Sequence, residues 1–379
     1  MRFIVLALAL SVFHANATSQ FSAGKSFAIS GFGTIGATDI ESNDRYLTDY
    51  DTDQKNDLSY TRKSLLGLNI TSELNETARL VLQTIMQGAD SDFQPKLDLA
   101  FLKWEAFSNF SFLAGRLVSP TWMFSEEQSI GYTNLWLEPP NLLYSMVPFR
   151  NIDGGGIRFN QAISSTLLKL QVVGGSGRYS STDHPTGSTL TTNIKLSDIL
   201  AAELRVERGP ALSLRLGYVQ AHVLFDTSVE LNGVIPAGPL GSINARLNTP
   251  GEIHGAHMYS LGANGQLSSL IYAAEAVQIE SKSSMLEMYR ADYFTLGYEL
   301  GAWTPHFTAS WLWGSRGGFF QTHELDGSRT GTESFTAGLN YTGLDNIVLK
   351  VGANSTTEQF TGRKDNAFSQ YFFSANMVF

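Results

Sequence analysis

The sequence predicts an all-β chain, a transmembrane up-and-down antiparallel β-barrel of about sixteen strands. Three observations lead there. Segments of period two run along most of the 379 residues, and the polar connections between them alternate between short and long. The stretch Tyr371 to Phe379 sets Tyr371, Phe373, Ala375, Met377 and Phe379 against Gln370, Ser374 and Asn376, and closes on an aromatic residue. An exposed edge strand would be blunted by Lys or Pro, whereas a strand paired with the first one of a closed ring has no free edge. A buried strand of a soluble sandwich is the competing reading of that stretch alone. Finally, past the N-terminus no run reaches the ~18 apolar residues of a membrane helix, a test that alternating strands escape.

Composition narrows the function. The net charge of −9 argues against nucleic acid, whose phosphates call for clustered Lys and Arg. The absence of cysteine excludes disulfides and thiolate metal sites. A mean hydropathy of −0.07 does not fit a bundle of membrane helices.

At the N-terminus Met1-Arg2, the apolar run Phe3 to Phe13 and Ala15-Asn16-Ala17 form the basic, hydrophobic and small-x-small parts of a secretory signal peptide. Residues 1–17 are expected to be cleaved, leaving 18–379 as a single barrel domain. Tight turns are expected at Glu73–Glu76, Ser108-Asn109, Gly209-Pro210, Ala263–Gly265 and Thr342–Asp345. Long polar connections are expected at 38–57, 88–96, 117–151, 174–192, 226–253, 280–287, 314–332 and 352–367. Between them the parity is clean: Leu212, Leu214, Leu216 and Tyr218 oppose Ser213 and Arg215, and Phe307, Ala309, Trp311 and Trp313 oppose His306, Thr308 and Ser310. One parity suits hydrocarbon and the other, charges included, suits water, which favours a wet lumen. Trp104, Phe107, Phe110, Tyr298 and Trp303 flank turns, where girdles of amphipathic rings are expected.

The export signal, the sixteen amphipathic segments, the terminal Phe379, the stretch Phe27-Ala-Ile-Ser-Gly-Phe-Gly-Thr-Ile-Gly36, and Gly115-Arg116 closing the fifth strand resemble the general porins of the Gram-negative outer membrane. The resemblance covers essentially the whole mature chain. It implies an outer-membrane location among lipid and lipopolysaccharide, a homotrimer, and one pore per barrel narrowed by an inward-folded third loop. One departure concerns that loop: the Pro-Glu-Phe-Gly word common among enterobacterial members is missing.

The segment Leu117–Asn151 is the candidate constriction. It is far longer than an ordinary connection of ~4–6 residues. It is also unusually greasy, carrying among others Trp122, Met123, Tyr132, Trp136, Leu142, Leu143, Tyr144 and Met146, which need a wall to pack on. Glu126, Glu127 and Glu138, with Asp153 behind them, are expected to face Lys63, Arg79, Lys103, Arg116 and Arg158 across the narrowest point, because charge at a constriction sets pore selectivity.

Other motifs weigh less. Gly31-Phe-Gly-Thr-Ile-Gly36 matches GxGxxG but has no helix after it, so its glycines are assigned to close packing of strands or subunits. Asp49 to Asp57 begins like a calcium loop, yet Gln54 and Tyr60 occupy the positions that need Gly and Glu. His254 and His257 fall on opposite faces of a strand, so no metal site is expected. No GxSxG word occurs, and no cofactor is implied. The reading is a channel, not an enzyme: passive diffusion of small hydrophilic solutes and ions with mild cation preference. The alternatives are a sugar-selective channel with Trp122, Tyr132, Trp136 and Tyr144 as a stacking slide and, further off, a barrel enzyme or adhesin.

Overall fold

A computed structural model describes residues 27–42, 58–61, 63–89, 92–147, 149–183, 188–231, 245–281, 288–314, 329–360 and 364–379. The signal segment 1–17 and the calcium-loop-like 49–57 lie outside these. Sixteen strands form one closed ring: β1 (Phe27–Ser42), β2 (Leu65–Glu73), β3 (Ala78–Ala89), β4 (Asp92–Phe107), β5 (Phe110–Val118), β6 (Asn151–Ile163), β7 (Thr166–Asp183) and β8 (Ser188–Arg208), then β9 (Leu212–Leu231), β10 (Ala245–Leu267), β11 (Leu270–Glu280), β12 (Tyr289–Tyr298), β13 (Trp303–Gly314), β14 (Arg329–Leu344), β15 (Ile347–Phe360) and β16 (Asn366–Val378). Each pairs antiparallel with its neighbours in sequence, and β1 closes on β16 from Phe32↔Val378 to Ser42↔Phe368. A single helical turn, α1 (Asn141–Tyr144), lies between β5 and β6.

The closing strand behaves as its period two demands. Tyr371 and Phe373 point outward at 47% exposure, while Gln370, Ser374 and Asn376 are buried on the inner side. At the seam, Gly31 and Phe379 exchange backbone hydrogen bonds of 2.8 and 3.0 Å. A Cβ on Gly31 would sit 2.3 Å from the Phe379 ring, so the glycine is needed there for close approach and not for phosphate binding.

Trp104, Phe107, Phe110, Tyr298 and Trp303 are all exposed near the short-turn end. Trp313 marks the opposite end of β13, its ring 5.7 Å from the Arg290 guanidinium. The ten-residue step from Trp303 to Trp313 spans about 33 Å along the strand, or about 25 Å at a tilt near 40°. That matches the apolar band of an outer-membrane barrel. Among the described residues no helix is long and apolar enough to cross a membrane, a test that says nothing of strands.

Turn positions follow the sequence only in part. The β2–β3 turn is built on Asn75, whose Oδ1 accepts from the Thr77 and Ala78 backbone N–H groups. The Ala263–Gly265 stretch, expected to turn, instead stays in β10, paired with Leu214 and Ser213 on one side and β11 on the other. Gly265 is there because the Ala211 carbonyl approaches to 2.2 Å of where a Cβ would lie. The chain reverses at Ser268, with φ 56°, and at Ser164, with φ 55°, positions that no Gly or Asn announces. The expected long connection 88–96 is mostly strand, split between the ends of β3 and β4.

The lipid-out, water-in rule does not hold everywhere. The inner parity is also apolar where the wall packs on the segment between β5 and β6, and again further along β8–β10. Toward the long-loop ends of β8–β10 the inner parity is apolar, with Ile194, Leu196, Val223, Phe225 and Ile253 buried. Their outward neighbours include Asn193, Lys195, Asp226, Glu252 and His254, all exposed. These strands run past the hydrocarbon band, and beyond it they follow the pattern of a soluble sheet.

The seam gives a test. Gly31→Val should lower the temperature at which the detergent-folded barrel loses its heat-modifiable gel mobility. Adding Phe379→Ala should restore part of the loss, since the Gly67 carbonyl would still crowd the new side chain.

Candidate constriction site

The segment between β5 and β6 leaves the wall at Val118 and re-enters it at Asn151. In between it touches inner-parity residues on most of the ring, which puts it inside the barrel. Two tethers hold it, and both use charged side chains to serve its backbone.

The first tether is buried beside Pro120–Met123. Arg215 on β9 donates to the Pro120 carbonyl at 2.6 Å and to Ser260 at 2.7 Å. It also pairs with Glu203 at 2.6 Å and Glu275 at 3.2 Å. Arg205 donates to the Met123 carbonyl at 2.8 Å, and the Met123 N–H donates to Glu275 at 2.9 Å. Arg215 and Glu275 side chains have no exposed surface at all. The second tether lies at Asn134–Trp136. Lys350 on β15 donates to the Asn134 and Trp136 carbonyls, the latter at 2.5 Å, and Asn340 donates to the Leu135 carbonyl at 2.8 Å. The Trp136 indole N–H donates to Thr308 at 2.8 Å and Thr295 at 3.1 Å. Between the tethers Gly131 passes so close to β16 that a Cβ would fall 2.1 Å from Asn376 Oδ1.

The apolar residues of the loop find the surface they need. Trp122, Met123, Trp136, Leu142, Leu143, Tyr144 and Met146 are buried with Ile152, Val173, Ile199, Val219, Met258, Val277 and Tyr293. Trp122 and Tyr144 lie 5.3 Å apart, and Trp136 meets Tyr293 edge-on at 5.7 Å. Three rings of the supposed sugar slide, Trp122, Trp136 and Tyr144, are thereby consumed in the loop's own core and present no face to a passing solute. Their greasiness is structural.

The charged residues singled out from sequence separate into groups. Glu126 on the loop meets Arg158 on β6 at 2.6 Å, and Glu138 meets Lys63, just ahead of β2, at 2.5 Å. In both pairs the groups touch, with no gap between them. Arg116 and Asp153 form a bidentate pair at 2.7 and 2.8 Å between directly opposed positions of β5 and β6, so Asp153 belongs to the wall. Arg79 and Lys103 do not reach the loop. Arg79 pairs with Glu73 at 3.4 Å and Lys103 with Glu105 at 2.7 Å near the short-turn end, where each finds an acidic group two positions along or directly across the ladder. Glu127 lies half-buried beside Glu126, Arg205 and Glu203, and burial together with the Glu126 charge pushes its carboxyl above the usual range.

Sequence reading missed Arg150 and Asp98, paired at 3.1 Å, and the set Arg215, Glu275 and Lys350. The available signal was a lone charge on an otherwise apolar inner parity at Glu275 in β11; Lys350 in β15 shares its parity with Asn354, Thr356 and Glu358 and gave no such signal.

Two cavities flank the loop. One is lined by Glu126, Glu127, Glu203 and Glu207 with Arg158, Lys169 and Arg205. The other is lined by Lys63, Glu138 and Glu358, with the hydroxyl-rich inner faces of β13–β15 and with Phe368, Gln370 and Phe372 of β16.

A closed sixteen-stranded antiparallel barrel with an apolar outer band and a loop anchored across its interior is the fold of the outer-membrane porins. Among solved structures, the chain is similar to the outer membrane channel DcaP of Acinetobacter baumannii, with 14% identity, 94% of this chain and 98% of that one covered, and a TM-score of 0.61. It is similar to Salmonella typhi OmpF, solved in complex with daunomycin, at 11% identity, 94% and 98% coverage and a TM-score of 0.58. It is similar also to the trimer form of OmpT, an outer membrane protein of Vibrio cholerae, at 10% identity, 93% and 99% coverage and a TM-score of 0.54. At these identities the likeness is one of fold. No family profile and no curated protein sequence matches the chain.

The buried tether is testable. Arg215→Met leaves the buried Glu275 without its cation, while Glu203 keeps Arg205 at 3.0 Å, and breaking a buried pair from one side costs about 3–5 kcal/mol. The barrel should melt lower in detergent and its loop should become open to protease. Arg215→Met with Glu275→Leu should recover part of that loss, because no lone charge is left at Glu275.

Proposed function

We propose that the chain is an outer-membrane porin: an aqueous channel for passive diffusion of small hydrophilic solutes and ions, narrowed by the loop 117–151. The observation that carries this reading is the loop held inside a closed ring by side chains of the inner wall, beside cavities lined by charges and hydroxyls. Such a lining hydrates water-soluble solutes and repels apolar ones. Export through a cleaved segment 1–17 and assembly as a homotrimer accompany the proposal. The trimer form recorded for OmpT supports the latter.

The proposed constriction set is Glu126, Glu127, Glu138, Lys63 and Arg158, with Arg116 and Asp153 as a wall pair behind it. The cavity beside Glu127 carries four carboxylates against three bases, which supports a mild cation preference. Three of the four rings of the aromatic slide, Trp122, Trp136 and Tyr144, are buried, which leaves only Tyr132 partly exposed and argues against stacking along a row of rings.

Planar-bilayer recording tests the reading. The purified protein should give defined conductance steps, grouped in threes for a trimer, and a reversal potential on the cation side under a salt gradient. Deleting residues 122–138 should raise the unit conductance; an unchanged step would remove the loop from the permeation path.

Acidity gives a second check. A carboxyl held above its ordinary pKa takes up its proton first as pH falls. Cation preference should therefore begin to decline at a pH above the normal Glu range, and in Glu127→Gln that early step should be absent.

A further inference from the structure

On the outer face of the barrel, away from the lumen, three metal-ligating side chains converge at the long-loop end of β9 and β10. We propose that His222, Glu252 and His254 form a binding site for a first-row transition ion of the Zn²⁺ type, with one coordination position left open.

The strand geometry brings them together. In the β9–β10 ladder Val223 opposes Ile253 and Ala221 opposes Ala256, so His254 and Gly255 together face the single residue His222. Two residues against one is a β-bulge, a device that re-aims a side chain. Gly255 supplies the backbone for it at φ 62°, a left-handed conformation that costs glycine nothing. His254 thus stands directly across from His222 on the outward parity, their rings 4.5 Å apart, with Glu252 two residues along the same strand as His254 and diagonal to His222.

The ligand atoms are already near coordinating distance. His254 Nε2 lies 3.4 Å from Glu252 Oε1 and His222 Nε2 lies 2.6 Å from it, and all candidate donor atoms fall within 4.8 Å of one another. Ligands ~2.0–2.1 Å from a tetrahedral Zn²⁺ stand about 3.4 Å from each other. The His254–Glu252 separation fits as it stands. The His222–Glu252 separation must widen by roughly 0.8 Å, which a rotamer change of the exposed Glu252 supplies. Two imidazoles and one carboxylate favour Zn²⁺, Ni²⁺ or Cu²⁺ over Mg²⁺ and Ca²⁺, which prefer all-oxygen shells. With His254 74% exposed, a fourth position is open to water or to an anionic oxygen.

The site is separate from the channel reading, since these side chains face outward and the constriction lies inside. Folded protein in detergent, titrated calorimetrically with Zn²⁺ alone, should bind one ion per chain, and Mg²⁺ in its place should give no heat. His222→Ala and His254→Ala should each weaken binding at least tenfold, and Glu252→Gln several-fold. His257→Ala, three residues on and hydrogen-bonded to Tyr218 instead, should leave it unchanged. Heat-modifiable mobility verifies that each variant is folded, and His254, the most exposed of the three, serves where another variant is not. Co²⁺ substitution should give the intense visible band of a four-coordinate site in wild type and not in His254→Ala. Equal Zn²⁺ affinity in wild type and in folded His222→Ala and His254→Ala, or six-coordinate Co²⁺ in wild type, would overturn the assignment.

Discussion

Hydrocarbon offers no partner for a backbone N–H or C=O, and that single constraint organises this molecule. A sheet in such surroundings cannot have an edge, so β1 must find β16. The eleven-residue pairing from Phe32 to Ser42, sealed by the exchange between Gly31 and Phe379, leaves no ladder open at the seam. Period two follows from the same demand. Once every backbone group is spent on a neighbour, only side chains remain to tell lipid from lumen, and they do so alternately along each strand.

The constraint does not end at the wall. A segment of irregular backbone at membrane depth is tolerated only where protein or water satisfies it. Here the wall does so with charges. Arg205, Arg215 and Lys350 donate to the carbonyls of Met123, Pro120, Asn134 and Trp136, and Glu275 accepts from the Met123 N–H. Each is a charged group meeting a backbone dipole, a stronger hydrogen bond than two neutral groups make. The apolar loop residues then cover these bonds and keep water from competing. Greasy loop and charged wall are parts of one solution, and neither would be stable alone.

Much of this was legible in the sequence, because alternation is local and survives any error in register. The parity of Tyr371 to Asn376, the girdle rings Trp104 and Trp303, and the length and greasiness of 117–151 could all be read without knowing which strands touch. What could not be read depends on register. Arg79 looks like a pore base until Glu73 turns out to lie directly across the ladder. His222 and His254 stand thirty-two positions apart in the chain and meet only because the register of the β9–β10 ladder sets them across from each other. The turns at Ser164 and Ser268 escaped for another reason: serine is an unusual choice for positive φ, so composition gave no warning. The apolar inner face near Ile194 and Val223 was hidden because 174–192 and 226–253 read as polar connections, although β7–β10 continue into both.

Contact between the opposed charges alters how the proposed constriction would act on an ion. Carboxylates held apart from guanidinium groups across open water generate a transverse field along the whole gap. Glu126 against Arg158 and Glu138 against Lys63 touch, so each presents a dipole, whose field fades faster with distance than that of separated charges. What remains to act at range is whatever charge is left over. Within the cavity beside the loop that surplus is one negative charge, and Glu127 sits where burial and the neighbouring Glu126 make its ionisation hardest to sustain. On this reading the selectivity of the pore rests less on a ring of opposed charges than on the protonation state of one half-buried carboxyl.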